Sequence, residues 1–393
     1  MSQESWKITS DNAHNAFTDM LFWRDYYWLV YVSSPSHFRN SKSCLVLMRS
    51  GSSFRDSTPS KSWDYSTPSK SWDSPFNWQE IRRFVGAGED IRDPKLGIIN
   101  DRLYVFALLN KRFDPEPYKT IVTHSDDGVT WTGFEDVAPA GWLLGRPVTT
   151  DGISWYAPAH RIDIGTAVLL CSTDGVNWSI CSTVFEGKLE RADETAIHFL
   201  KNGSLVAVTR LEAGSSLFGS EQAATLISIS EPPFTHWTEV TRSRLTRLDS
   251  PVLFSLALRG TQDNGNDAPG ELYAVGRRQT RVRAPFEKQG SAFGRKRTAL
   301  FRVNLPLLNH DLLGHVTADI DPGFSGLVHL VDLPSSGDTA YAGVVVRDKK
   351  VIISYYTNDP QTDYPWVFGM LCPTRIQITV FDVENLKKLE DEK

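Results

Sequence analysis

The chain has 393 residues, a formal net charge of -5, 40% hydrophobic and 23% charged side chains. Its 12 Trp, 12 Tyr and 20 Phe exclude a disordered chain, and 27 Gly with 21 Pro exclude collagen-like and low-complexity classes. The mild charge gives no global field for nucleic acid or a membrane surface, and the length suits either two ordinary domains or one large closed β architecture.

The first fifteen residues, MSQESWKITSDNAHN, carry neither a basic segment nor an apolar run of the secretory kind, and no stretch of 18 apolar residues follows. The expectation is a cytoplasmic protein without a membrane span, or a secreted one if a leader has been removed. The apolar residues come in short alternating runs rich in Val, Ile, Tyr, Phe and Trp. They include Leu21–Val32, Leu45–Met48, Gly97–Leu109, Thr166–Ser172, Ala196–Thr209, Leu272–Arg277 and Ala342–Tyr356, split by Gly, Asn and Asp. Two hairpins are explicit, with turns at Asn100-Asp101-Arg102 and at Lys201-Asn202-Gly203-Ser204. The best helical stretch is the charged tail 383–393. Cys44, Cys171, Cys181 and Cys372 form no CxxC. Cys171 and Cys181 could face each other across a hairpin, but free buried thiols in a reducing compartment are the expectation.

The chain also repeats itself. Ser125-Asp126-Asp127-Gly128-Val129-Thr130-Trp131 and Ser172-Thr173-Asp174-Gly175-Val176-Asn177-Trp178 share Ser-x-Asp-Gly-Val-x-Trp at a spacing of 47 residues, and a looser unit runs from Ser230 to Trp237. Turn-plus-Trp units at this interval predict a radial array of four-stranded sheets, an all-β propeller in one domain spanning 1–393. Within each unit Asp and Ser would bond turn amides, Gly would supply the special φ, and Trp would pack between sheets. A second repetition, Ser57–Asp64 repeated at Ser66–Asp73, is polar and aperiodic and reads as a duplicated surface loop over 57–74. The segment 277–298 lies in a basic stretch and reads as a solvated insertion loop, or else as an electropositive rim for an anionic ligand.

These residues resemble the sialidase superfamily. The two Trp units are similar to its Asp boxes, Asp193-Glu194-Thr195 through Arg210 to the strand pair in which a Glu precedes a hairpin ending in Arg, and Ser250-Pro251-Val252 through Arg277 to the following blade. Asp338-Thr339-Ala340-Tyr341 through Tyr356 is similar to its last blade. The likeness covers about residues 120 to 360 and is nearest to bacterial sialidase-like chains. It implies a six-bladed propeller, a site at the mouth of the central channel, and retaining exo-cleavage of a terminal, acidic sugar. It also implies that Tyr341 attacks the anomeric carbon, Glu194 takes its proton, and Arg210 and Arg277 clamp a carboxylate. A phenol is neutral on approach to an anionic sugar, and at its ordinary pKa it needs a base beside it.

The sequence departs from that pattern. Where the first clamp Arg is expected, the chain reads His14-Asn15-Ala16-Phe17-Thr18-Asp19. Where the acid/base Asp is expected it reads Ser34-Pro35-Ser36-His37-Phe38-Arg39-Asn40, so His37 could be the proton donor or Arg39 a substitute clamp. Asp19, Arg92-Asp93-Pro94 and Glu194 also resemble the three carboxylate stations of five-bladed furanosidases. A non-catalytic propeller for acidic glycans, and a lyase pairing His160 or His198 with Tyr341, are further alternatives. The candidate catalytic residues are therefore Tyr341, Glu194, Asp93 and His37, and the candidate substrate-binding residues are Arg210, Arg277, Arg92, His14, Asp19 and Tyr356. A carbohydrate is the expected partner, and no cofactor or metal cluster is indicated.

Overall fold

The computed structural model describes residues 3–38, 40–51, 76–111, 116–214, 217–256, 271–280, 287–305, 308–310, 316–318 and 326–391. They form six four-stranded antiparallel sheets, the blades of a six-bladed β-propeller of sialidase type. In chain order, blade 1 comprises His14–Trp23, Tyr26–Ser34, Cys44–Gly51 and Gln79–Val85. Blade 2 comprises Asp90–Ile99, Arg102–Asn110, Lys119–Ser125 and Glu135–Val137. Blade 3 comprises Leu143–Leu144, Trp155–Arg161, Thr166–Ser172 and Ser179–Glu186, and blade 4 Arg191–Phe199, Leu205–Glu212, Ala224–Ser230 and Thr238–Ser243. Blade 5 comprises Asp249–Ser255, Leu272–Gln279, Lys296–Val303 and Leu327–Asp332. Blade 6 takes Thr339–Arg347, Lys350–Thr357 and Arg375–Asp382 from the C-terminal part, and its outermost strand is Glu4–Lys7, paired Glu4 to Val380. Both ends of the described chain thus share one sheet, which closes the ring and covers an edge that would otherwise be bare.

The alternation read from the sequence places apolar side chains between neighbouring blades. Tyr27, Trp28, Tyr104, Phe106, Tyr273, Tyr355 and Tyr356 are almost wholly inaccessible there. The hairpin turn Asn100-Asp101 has φ of 51° and 60°, and Arg24-Asp25 and Asp348-Lys349 do the same in blades 1 and 6. A two-residue turn with both φ positive matches the twist of the strands it joins.

The Ser-x-Asp-Gly-x-x-Trp units connect the third and fourth strands of blades 2 and 3. Asp174 Oδ1 accepts from the amides of Val176 and Asn177, Ser172 Oγ accepts from Gly175 N, and Trp178 Nε1 donates 2.9 Å to Gly175 O. Asp127 and Ser125 repeat this wiring. Those amide bonds pull the Asp174 carboxyl down to about 2 against the cost of burial. The looser unit occupies the same place in blade 4 but is wired differently, since Trp237 Nε1 donates to Ser182 Oγ of blade 3.

Several sequence expectations change. Cys171 and Cys181 are joined in a disulfide, not free: their strands are neighbours in blade 3 and their Cα atoms lie 6.1 Å apart. The segment 277–298 is not simply an insertion loop. Arg277 and Arg278 belong to one strand of blade 5 and Lys296 to the next, and Arg278 pairs with Asp332 while Arg297 pairs with Asp363. The tail forms a helix, Val383–Asp391, that sets Val383, Leu386 and Leu389 into the core of blades 5 and 6. The duplicated loop at 57–74 lies outside the described residues. No helix among the described residues is long and apolar enough to cross a membrane.

Candidate active site

The innermost strand of every blade carries the same irregularity near one end of the channel. In blade 2 the pairs Arg92–Leu108 and Lys95–Phe106 leave Asp93 and Pro94 opposite a single residue. Two residues against one is a β-bulge, which bends the strand and re-aims its side chains. The bulged pairs are Phe17-Thr18 in blade 1, Asp193-Glu194 in blade 4, Ser250-Pro251 in blade 5 and Tyr341-Ala342 in blade 6. Blade 3 follows suit: Gly145 N bonds Pro158 O and Val148 pairs with Tyr156, which leaves Arg146-Pro147 in the bulge. The first bulge residue is left-handed at Phe17, Asp93, Ser250 and Tyr341, with φ between 48° and 56°. Such strain in non-glycine residues clusters at functional sites.

These bulges line one cavity of about 540 Å³, walled by all six blades and by Trp366. The volume suits a single sugar ring with part of its neighbour. At its floor Tyr341 Oη donates to Glu194 Oε1. Glu194 Oε2 accepts from Arg210 Nη1 at 2.5 Å, and Ser250 adds its amide at 3.2 Å and its hydroxyl at 3.1 Å. Burial works against the Glu194 charge, but Arg210 and Tyr341 outweigh it and hold the carboxyl at about 2. Burial, reinforced by Glu194 and Asp93, pushes the Tyr341 phenol well above its ordinary range. The backbone of Tyr341 is itself fixed, since Thr18 Oγ1 donates 2.6 Å to its carbonyl.

Asp93 behaves in the opposite way to Glu194. Burial raises it to about 6, despite Lys95 and Arg92, and its Oδ1 is buried without a hydrogen-bond partner among the described residues. The cavity therefore holds Glu194 ionised throughout the ordinary pH range and Asp93 with its proton kept to near pH 6, while burial also raises Asp193, well above its ordinary range, and Glu116. Environments that separate two carboxyl pKa values in this way assign acid and base roles.

The two arginines expected to clamp a ligand carboxylate reach the cavity but are already engaged. Arg210 is bonded to Glu194 and Glu212 and lies 3.4 Å from Asp193 and 3.3 Å from Asp249. Arg277 donates 3.1 Å to Asp249, lies over the Trp366 ring at 4.6 Å, and is 3% exposed. Arg92 borders the cavity while paired with Asp90 at 2.5 Å. Asp19, the first carboxylate station of the furanosidase scheme, is 1% exposed, accepts from the amides of Met20 and Leu96, and lies against Arg146. It lines the same cavity, with its oxygens bonded to the scaffold.

His37 reaches the cavity wall, with Nδ1 2.5 Å from Asp338 Oδ2. His14 and Tyr356 do not line the cavity. Both lie behind it, with His14 Nε2 3.2 Å from Asp338 and Tyr356 Oη donating to Asp338 at 2.9 Å. They buttress Asp338 from behind the cavity wall. Ligand atoms of His14, His37 and Asp338 fall within 4.8 Å of one another, as a metal site would need. Arg277 stands 3.7 Å from the same carboxylate, and Arg92 bears electrostatically on His14, so a cation there would meet positive charge. Burial pushes His14 down to about 4, which fits a neutral member of a hydrogen-bonded cluster. Arg39 lies outside the described residues.

His198 is bonded to Ser255 away from the cavity, whereas His160 lines it, 3.3 Å from Asp193, and is pushed down to about 4 by burial. The sequence reading missed Arg146 and Lys95. A signal for them was available in the Arg-Pro and Asp-Pro dipeptides at 146 and 93, because proline supplies no amide to the ladder at the second bulge position.

No family model and no curated protein matches the chain. Solved structures do match it in fold. The endosialidase of phage phi92 aligns with a TM-score of 0.65 at 10% identity, over 97% of this chain and 69% of that one. A Trypanosoma rangeli sialidase with bound sialic acid gives 0.60 at 11%, and this chain covers 99% of itself but 58% of that protein. A Penicillium chrysogenum α-L-arabinanase with arabinobiose gives 0.57 at 13%, over 96% and 97%. At these identities the likeness is one of fold: a propeller shared with glycoside hydrolases.

Proposed function

We propose that the protein is a retaining glycoside hydrolase that removes a terminal sugar held in the central cavity. The observation that carries this reading is the hydrogen bond from Tyr341 Oη to Glu194 Oε1, with Asp93, whose buried carboxyl is raised to about 6, lining the same cavity. Tyr341 attacks the anomeric carbon and passes its proton to Glu194, and Asp93 protonates the departing oxygen. Water then enters, activated by Asp93, and releases the sugar with its anomeric configuration kept. The fold neighbours that bind sialic acid and arabinobiose support a sugar in this position.

A second reading of the nucleophile has its own support. Glu194 is ionised, held by four donors, and paired with a phenol that resists losing its proton. In this version Glu194 attacks and Tyr341 only orients it. Incubation with aryl 2-deoxy-2-fluoroglycosides, followed by peptide mass spectrometry, separates the two. A sugar on Tyr341 supports the first and one on Glu194 the second. Absence of turnover across pyranoside and furanoside aryl glycosides of both anomeric forms, together with absence of any covalent adduct, ends the glycosidase reading.

A further inference from the structure

We infer that the sugar this cavity accepts carries no charge; the inference rests on the glycosidase reading of the same cavity and concerns its substrate class. The argument is one of ion pairing. A ligand carboxylate needs guanidinium donors that are free to turn toward it, preferably in pairs. The floor holds Arg210 and Arg277, backed by Arg247. Against them stand Asp193, Glu194, Glu212 and Asp249, and every one of these acids lies within 3.4 Å of a guanidinium nitrogen. Asp249 is the hub, bonded by Arg247 at 2.6 Å and by Arg277 at 3.1 Å while 2% exposed. The nearby Lys296 donates 2.8 Å to Gln279, and burial depresses its charge. Burial raises Asp193 well above its ordinary range, so three guanidinium groups face three ionised acids and the floor is electrically balanced before any ligand arrives.

The walls follow the same rule. Arg92 is held by Asp90, and Arg146 lies against Asp19. Lys95 has no salt bridge among the described residues; burial lowers its pKa, and Asp93 and Glu194 are the charges that bear on it. An anionic sugar would have to share guanidinium donors that acids already neutralise, with those acids still close by, so like charge would stand near the ligand. An uncharged sugar meets no such obstacle. Its hydroxyls can donate to Asp193, Glu194 and Asp93. Its apolar face suits Trp366, whose ring is fixed by Nε1 donating 2.8 Å to Asp338 and lines the cavity.

Matched aryl glycosides that differ by one carboxylate test this directly: glucoside against glucuronide, galactoside against galacturonide, with an arabinofuranoside and a sialoside added. The expected result is a kcat/KM at least roughly 100-fold higher for the uncharged member of a pair. Equal or faster cleavage of the acidic member overturns the inference and leaves the glycosidase reading standing. If neither member is cleaved or bound, both fall together. Glu212→Gln withdraws one acid from Arg210, and the ratio should shrink about tenfold in the folded variant. An unchanged ratio there counts against the pairing argument. Competition with the native protein needs no variant: glucuronate should leave turnover of the uncharged substrate unaffected, and strong inhibition would overturn the inference.

Discussion

Tyr341 and Glu194 are 147 residues apart in the chain, yet they meet because each occupies the bulge of its own blade, the first position in blade 6 and the second in blade 4. The hydrogen bond between them crosses the channel mouth without any loop to bring it about. Replacing Tyr341 with Phe removes the hydroxyl and keeps the ring against Phe17, 4.7 Å away by centroid. If the phenol is the nucleophile, Tyr341→Phe loses at least about 10³-fold in kcat while still binding product. If Glu194 attacks, the loss is nearer tenfold, and the low-pH limb of kcat moves upward because Glu194 has lost a donor that held its pKa down. Steady-state kinetics with a binding isotherm decide between them.

Asp93 sets the other limb. Its proton is present below about 6 and lost above, so kcat/KM should fall as pH rises through about 6. Asp93→Asn should cost about 10²–10⁴-fold on a poor leaving group and much less on a dinitrophenyl glycoside, which needs no protonation. A pH profile on both substrates checks this. His37→Gln serves as the comparison: if that variant, and not Asp93→Asn, shows the leaving-group dependence, the proton donor is His37.

The same carboxyl bears on stability. The folded state holds the Asp93 proton to about pH 6, whereas the ordinary value of 3.8 applies once the chain unfolds. At this site the folded state binds more protons in that window, so the contribution of Asp93 to stability decreases as pH rises from about 4 to 6, by an amount on the order of 2–3 kcal/mol. Asp93→Asn should remove that contribution, so its stability relative to the parent rises from pH 4 to pH 7. Chemical denaturation at the two pH values measures it.

The turn of blade 3 gives a structural prediction. Gly175 has φ of +80°, and a Cβ there would stand 2.6 Å from Ile99 Cδ1 of blade 2. Gly175→Ala therefore combines backbone strain with a clash and should cost about 1–3 kcal/mol. Trp178→Ala, which removes a buried ring packed near Phe106, should cost about 3–5 kcal/mol. Thermal melts of both variants test the order.

Joining Cys171 to Cys181 closes a short loop around the same turn, with a sequence separation of 10. Replacing both with Ala should cost about 2–3 kcal/mol through loop-closure entropy. Melting with and without reductant should show the same difference in the parent and none in the double variant.

The strands and their hairpin turns were legible because their signals are local: alternation, Asn-Asp turns, and Ser-x-Asp-Gly-x-x-Trp units whose side chains bond within seven residues. Tyr341, Glu194 and Arg210 were legible as neighbours because of a family pattern. What they do to one another was not. Whether Arg277 is free depends on Asp249, which pairs with it across a strand ladder, and on Trp366 from a separate helix, Trp366–Gly369. The disulfide was missed because two strands of alternating polarity look alike whether their cysteines face each other or not. His14 and Tyr356 carried the right elements for the site, but one layer of packing separates them from its surface.

The sixfold bulge has a consequence for how this molecule could change. Each blade offers the channel mouth a pair of side chains on a backbone kink built into its own innermost strand. A new specificity can therefore be written two letters at a time, in segments far apart in the chain, while the sheets that hold them remain as they are.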